Sequence, residues 1–336
     1  MRMASLQLVG IARYSSLVAP RPALNGPHST GRPTEVSRLI AVSHKSAVAF
    51  PELMLSAIDD EEFALWVELL GRRIGLRDTV IRKSFLLQSV ETRIRLRGIA
   101  SRRAYFDLLR AQSGNDEEWD CLIDLLPLHE TRFMRHASSL TLLTNYIQQR
   151  CAVEKSRPTT LTAWSAGCST GEEVYSLAIL MDQALAPFDP RPRINVIGSD
   201  LSRTSLSKAR RGSYHRRQLT NLNALQIAQY FDHTDDEVFV VKAALRERTQ
   251  FLPVNLHELN VGNGMVGPVD IVFCQNVLIY FDSIERERIV NQLAEHVAPG
   301  GVLVLGGGEL LRWNRPDFKR IATDDTLAYK KISVLN

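Results

Sequence analysis

Leu161-Thr162-Ala163-Trp164-Ser165-Ala166-Gly167-Cys168-Ser169-Thr170-Gly171-Glu172-Glu173 reads as a short apolar strand, a glycine-bounded turn and the first residues of a helix. Val174, Leu177, Ala178, Met181 and Leu185 then recur at helical spacing, so one face of that helix is buried. A strand running straight into a buried helix opens a βαβ unit, and the pattern repeats. Residues 194–198 form a second strand leading to Asp200, residues 251–254 a third, and Val269–Cys274 a fourth that is apolar enough to be central in a parallel sheet. Asp282 and Glu285 have the spacing of a capping box for a helix ending near Val297. Pro299, Gly300 and Gly301 are then expected to turn the chain into a last strand over 302–306.

Outward from this core the organisation changes. Residues 214–247 interrupt the alternation with a helical segment around Ala224–Tyr230 and the alternating run Val238–Val241, which predicts a small β-rich insertion at about 213–249. Upstream, Asp59 and Glu62 precede Phe63, Trp66, Val67 and Leu70 on one helical face, so an all-helical domain is expected over 56–126. Within it, residues 72–110 carry eleven basic side chains against three acidic ones, and the domain is read as basic. Residues 127–158 are expected to be a linker helix with a segment that closes over a cofactor, and 159–336 the α/β domain. Residues 1–55, broken by Pro20, Pro22, Pro27 and Pro33, have no sustained periodicity and read as a disordered extension.

The 336 residues suffice for an enzyme domain with an accessory domain. No apolar run approaches the roughly 18 residues that span a bilayer, so direct membrane insertion is not expected. Cys121, Cys151, Cys168 and Cys274 lie far apart without metal-ligand spacing, which argues against a disulfide framework and a metal site and for the cytoplasm.

The turn after the first strand lies at the carboxyl edge of the sheet, where open α/β sheets bind ligands. Gly167 and Gly171 allow close backbone approach, and Glu173 offers a carboxylate suited to the cationic amine or ribose of a cofactor. Asp200, at the end of the next strand, is placed to accept hydrogen bonds from ribose hydroxyls. Together they favour an adenosine cofactor. A dinucleotide fingerprint would read GxGxxG, whereas these glycines are four apart. A tight turn without any ligand would also explain a glycine pair on its own.

Four segments carry a family resemblance: His129-Glu130-Thr131-Arg132-Phe133-Met134-Arg135, Trp164 to Glu173, Gly198-Ser199-Asp200-Leu201-Ser202, and Cys274-Gln275-Asn276-Val277-Leu278-Ile279-Tyr280-Phe281. They resemble the CheR methyltransferases, from about Asp59 to the C-terminus. The resemblance implies a class I Rossmann-like sheet, S-adenosyl-L-methionine as cofactor, and transfer of its methyl to glutamate carboxylates of a chemoreceptor-like protein, in a chemotaxis or type IV pilus pathway. It places Thr131, Arg135, Gly167, Glu173, Asp200, Asn255 and Asn276 around the cofactor, with Arg135 and Tyr280 nearest the transferring methyl. His129, Met134 and Gln275 depart from the family's usual asparagine, phenylalanine and arginine.

Each of these residues has a plainer reading. Arg135 suits a surface cation, Tyr280 a core aromatic, Cys168 and Cys274 small packing residues, and His129 a hydrogen-bonding loop residue. The basic run suits a solvated face or a nucleic-acid footprint. No nucleic-acid motif accompanies it, and the receptor regions methylated by the family are acidic helical bundles, so docking of such a bundle on a monomeric enzyme is expected, with no nucleic-acid partner. A non-catalytic S-adenosylmethionine-sensing module and a methyltransferase of RNA or small molecules are the competing readings.

Overall fold

The computed structural model describes residues 58–77, 81–111, 116–126, 131–154, 157–235, 237–260, 266–310, 313–323 and 325–332. The expected extension over 1–55 and His129 lie outside the described residues. Residues 57–336 form one compact unit.

Strand β1 (Thr160–Ala166) is central. It pairs in parallel with β2 (Arg193–Asp200) on one side and β7 (Val269–Cys274) on the other. With β6 (Thr249–Pro253), β8 (Val297–Gly306), β9 (Phe318–Ile321) and β10 (Thr326–Lys331), the sheet order is β6-β2-β1-β7-β8-β10-β9, and only β10 runs antiparallel to both of its neighbours. The strand order reverses between β1 and β7, which opens a crevice at their carboxyl ends.

Alternation along the strands explains why both faces are covered. Ala163, Ile271, Phe273, Val302 and Val304 enter one apolar core with α5 (Ala137–Cys151) and α6 (Glu172–Leu185); Trp164, Val272, Leu303 and Leu305 enter the other with α10 (Ser283–Glu295). The insertion folds as a three-stranded antiparallel sheet ordered β3-β5-β4, built from Ser213–His215, Val238–Val241 and Phe231–Asp235, with helix α8 (Ala224–Tyr230) between β3 and β4. Helices α7 (Arg203–Arg211) and α9 (Ala243–Arg246) flank it.

The last parallel strand differs from expectation. It runs through Pro299-Gly300-Gly301 instead of starting after it, with Gly300 at φ +77° and an irregular register opposite Val269 and Ile271. A Cβ on Gly301 would sit 2.8 Å from the carbonyls of both Ala298 and Asp270, so this bulge needs glycine there.

The N-terminal helices α1 (Asp60–Ile74), α2 (Lys83–Arg97), α3 (Arg102–Arg110) and α4 (Asp116–Ile123) enclose their own core of Trp66, Leu70, Leu86, Val90, Tyr105 and Leu122. Asp59 caps α1 by accepting from the Glu62 N–H at 2.7 Å, and Asp282 caps α10 by accepting from the Glu285 N–H at 2.8 Å. Neither glutamate completes its box: Glu62 binds Arg102 through both oxygens, and Glu285 turns to His257 and Arg288.

The basic reading of 56–126 is corrected. Across that whole span thirteen acidic side chains face eleven basic ones, because α1 and α4 are acidic. Much of the positive charge is spent internally. Arg93 makes two 2.8 Å bonds to the buried Glu118, which also accepts from Tyr105, while Arg73 pairs with Asp116 and Lys83 with Asp60. Exposed cations outside these pairs include Arg82, Arg95 and Arg110, while the exposed Arg97 lies 3.4 Å from Glu118.

Candidate cofactor and substrate site

The turn after β1 is shaped by its contacts. Gly167 has φ +87°, and a Cβ there would lie 2.3 Å from Val277 Cγ2, so the β1 and β7 loops close on each other only with glycine at this position. The N–H groups of Gly167 and Cys168 both donate to Ser199 O at 2.8 Å. Ser169, at φ +49°, donates its N–H to Asp200 Oδ2 at 2.7 Å, and Ser202 N donates to Asp200 Oδ1 at 2.9 Å. Asp200 therefore ties the β1 and β2 loops together through both of its carboxylate oxygens. The insertion braces the same turn: Tyr214 Oη donates to Thr170 O at 2.8 Å, and Gln218 Nε2 donates to the buried Glu172 at 2.8 Å.

Glu173, the second residue of α6, receives a 2.7 Å hydrogen bond from Ser165 Oγ. Burial pushes its carboxyl up to about 8; the Ser165 bond opposes that shift, Glu309 adds to it and Arg135 opposes it. No cation forms an ion pair with Glu173 among the described residues.

The segment around Arg135 is anchored on both sides. Phe133 is fully buried, edge-on to Tyr214 and Phe231 of the insertion, and Met134 N donates to Ser176 Oγ at 2.9 Å. His136 Nε2 lies 2.6 Å from Asn276 Oδ1, and both residues have positive φ. Gln275 is buried and donates to Ser139 Oγ at 2.6 Å, joining the end of β7 to α5. Asn255 donates from Nδ2 to Arg73 O at 3.0 Å and accepts from His257 N, so its amide links the sheet to α1. Tyr280 ends a 3-10 turn, and its carbonyl accepts from the Arg77 N–H at 3.1 Å.

Thr131, Arg135, Gly167, Glu173, Asp200, Asn255, Asn276 and Tyr280 all line a single cleft at the carboxyl ends of β1 and β7, with about 1050 Å³ of free space including its open mouth. Sequence reasoning missed part of its wall. Ile74, Leu76 and Ile123 come from the helical unit, and no local pattern marks them as ligand-facing rather than core. Glu309 was missed as well. It is buried behind the 276–281 loop and accepts from Gly306 N at 2.8 Å.

The family described as CheR methyltransferase, SAM binding domain, matches residues 129–327. The chain belongs to the CheR methyltransferase family. The chemotaxis protein methyltransferase of Klebsiella aerogenes is 31% identical over 255 residues, which are 75% of this chain and 84% of that protein. Chemotaxis protein methyltransferase 2 of Vibrio cholerae is 31% identical over 253 residues, 75% of this chain and 86% of the relative.

The cofactor of this CheR chain is S-adenosylmethionine, and the cleft suits its chemistry. Ile74, Leu76, Val254, Leu256 and Phe281 give the cleft an apolar wall, Asp200 sets a carboxylate beside it, and Glu173 is a carboxyl that forms no ion pair among the described residues. Of the departures from the CheR pattern, Gln275 lines the cleft with its Oε1 shut off from water and without a hydrogen-bond partner, and Met134 packs against the α5–α6 side of the sheet. Among the described residues no helix is long and apolar enough to cross a membrane, no group of side chains could hold a metal ion, and the four cysteines are free.

Proposed function

We propose that this chain methylates glutamate side-chain carboxylates on a chemoreceptor, acting as a monomer from the cytoplasm. Relatives named chemotaxis protein methyltransferases support the substrate class, and the observation that carries the reading is the convergence of Glu173, Asp200, Asn276, Arg135 and Tyr280 on one cleft.

When bound, S-adenosylmethionine supplies a methyl group activated by its sulfonium charge. A glutamate side chain, with an ordinary pKa near 4.3, is already ionised at neutral pH, so no base is required of the protein. Transfer of that methyl to a carboxylate oxygen would give a methyl ester and a neutral thioether, which leaves the protein no proton to move. The work of the residues is alignment. Glu173 and Asp200 hold the cationic and hydroxyl parts of the cofactor, Thr131, Asn255 and Asn276 fix its orientation, and Arg135 and Tyr280 steer the incoming carboxylate. The apolar wall excludes water. Such positioning is worth up to roughly 7 to 11 kcal/mol when the geometry is ideal.

In this reading residues 127–158 carry the lid over the cofactor, and the receptor's acidic helices dock on the exposed cations Arg82, at the N-cap of α2, and Arg95 within it. The test is methyl transfer from labelled cofactor to receptors in membranes of the source cell. Label released by mild alkali is expected, as for a carboxyl ester. Alkali-stable label would point to RNA or a small molecule, and intact cofactor binding without transfer to a non-catalytic module. Arg135→Ala and Tyr280→Phe are expected to depress kcat more than they weaken cofactor binding; loss of binding on replacing Arg135 would move it into the cofactor site.

A further inference from the structure

The 279–281 loop, which carries Tyr280, is held by two arginines that form no ion pair among the described residues. The backbone N–H of Arg77 donates to Tyr280 O at 3.1 Å. Arg286 donates from Nε to Phe281 O at 2.8 Å, from Nη1 to Glu309 O at 3.0 Å and from Nη2 to Ile279 O at 3.4 Å, all of them carbonyls. Among the described residues neither guanidinium forms an ion pair, and Arg77 Nε is shut off from water without a hydrogen-bond partner. Burial, and next the charge of Arg77, lowers the affinity of Arg286 for its proton, and the charges of Glu309 and Asp282 oppose that shift without overcoming it, so the two cations feel each other. Holding like charges together in a half-buried setting is unfavourable, and an anion beside them reverses the sign of that interaction.

Their position decides which anion. Leu76, Tyr280 and Phe281 line the cleft, whereas Arg77 and Arg286 do not. The pair therefore stands outside the cofactor pocket, at the rim. Ile279 and Ile284 are 38% and 83% exposed on the same loop and at the start of α10, which makes this rim apolar as well as cationic. A helical substrate presenting an accepting glutamate carries further side chains on the same face three and four residues away.

Resting on the carboxyl-methylation reading, we propose that Arg77, supported by Arg286, forms a carboxylate subsite beside Tyr280 that selects substrates bearing a second acidic side chain one helical turn from the methyl-accepting glutamate. Arg77 carries the test because its bond to Tyr280 comes from the backbone and survives substitution, whereas Arg286 also straps the loop.

Two helical peptides serve as probes, each with one acceptor glutamate and either aspartate or asparagine four residues away. Wild-type protein is expected to favour the aspartate peptide by about tenfold in kcat/KM, the scale of one charge-assisted contact. Arg77→Gln should bring that ratio to about one, Arg77→Lys should keep part of it, and Arg77→Glu should turn preference toward a peptide with lysine at the flanking position. Calorimetric titration with S-adenosylmethionine checks that each variant is folded. Equal wild-type rates on the two peptides, or a preference that persists in Arg77→Gln, overturns the subsite and leaves carboxyl methylation standing. Wild-type protein that binds cofactor yet methylates neither peptide overturns both readings.

Discussion

Glu118, buried in the helical unit, and Glu173, half-buried on the wall of the cleft, are two carboxylates that the protein treats in opposite ways. Burial alone would raise both. At Glu118 the Arg93 guanidinium, the Tyr105 hydroxyl and the charge of Arg97 overcome burial and hold the carboxyl below its ordinary range. At Glu173 the Ser165 hydroxyl and the charge of Arg135 do not overcome burial, and the carboxyl is pushed up to about 8. A buried charge satisfied by the fold is architecture; one left to be satisfied marks where a ligand belongs.

The sharpest way to break this contrast is at Glu118. Glu118→Ala leaves Arg93 buried without its partner and should cost about 3 to 5 kcal/mol in urea unfolding. A loss below about 1 kcal/mol would make the pair incidental. Glu173→Gln should instead raise unfolding stability at pH 7, because the amide has no proton to release on unfolding, while weakening S-adenosylmethionine by about 1.5 to 3 kcal/mol in calorimetry, the range for a charged hydrogen bond. Unchanged affinity would remove Glu173 from the cofactor site.

The pH dependence follows from the same raised pKa. Between the ordinary glutamate value and about 8 the folded chain keeps a proton that the unfolded chain releases, so this group's contribution to stability is full at low pH and is lost as pH rises through that window. A cationic ligand favours the ionised carboxylate, so binding expels the proton and cofactor affinity should climb with pH, by at most about tenfold per unit, until it levels near 8. In Glu173→Gln the climb should vanish; an identical profile in wild type and variant assigns it to another group. The smallest effect belongs to the exposed cations. Reversing Arg82 and Arg95 should lower receptor kcat/KM by less than about tenfold at low salt, with the difference fading as ionic strength shortens the roughly 10 Å screening distance at 0.1 M. A defect that persists at high salt would not be electrostatic docking.

Much of the α/β core was legible because its signals are local. The β1 turn, the apolar β7 and the run ending at Tyr280 each announce themselves within about ten residues. The helical unit was misread because its electrostatics are not local: Arg93 and Glu118 are 25 residues apart, Arg73 and Asp116 are 43, so a charge count over 72–110 sees the cations and misses their partners. Ile74, Leu76 and Ile123 were hidden for a related reason, since a residue at a domain seam shows the same helical periodicity as one in a core. The antiparallel β9 and β10 carry basic residues at Lys319, Arg320, Lys330 and Lys331, which weakened the alternation that would have marked them as strands.

The seam itself limits how such proteins can be rebuilt. Asn255 grips Arg73 O, Arg77 grips Tyr280 O, Asp124 meets Ser202 and Asp120 pairs with Arg203 at 2.7 Å, while Ile74, Leu76 and Ile123 complete the cleft. A chimera that borrows its helical half from a relative would import a wall cut for another room, and breeding new receptor specificity by swapping halves would require the sockets at 73, 77, 120 and 124 to travel with it.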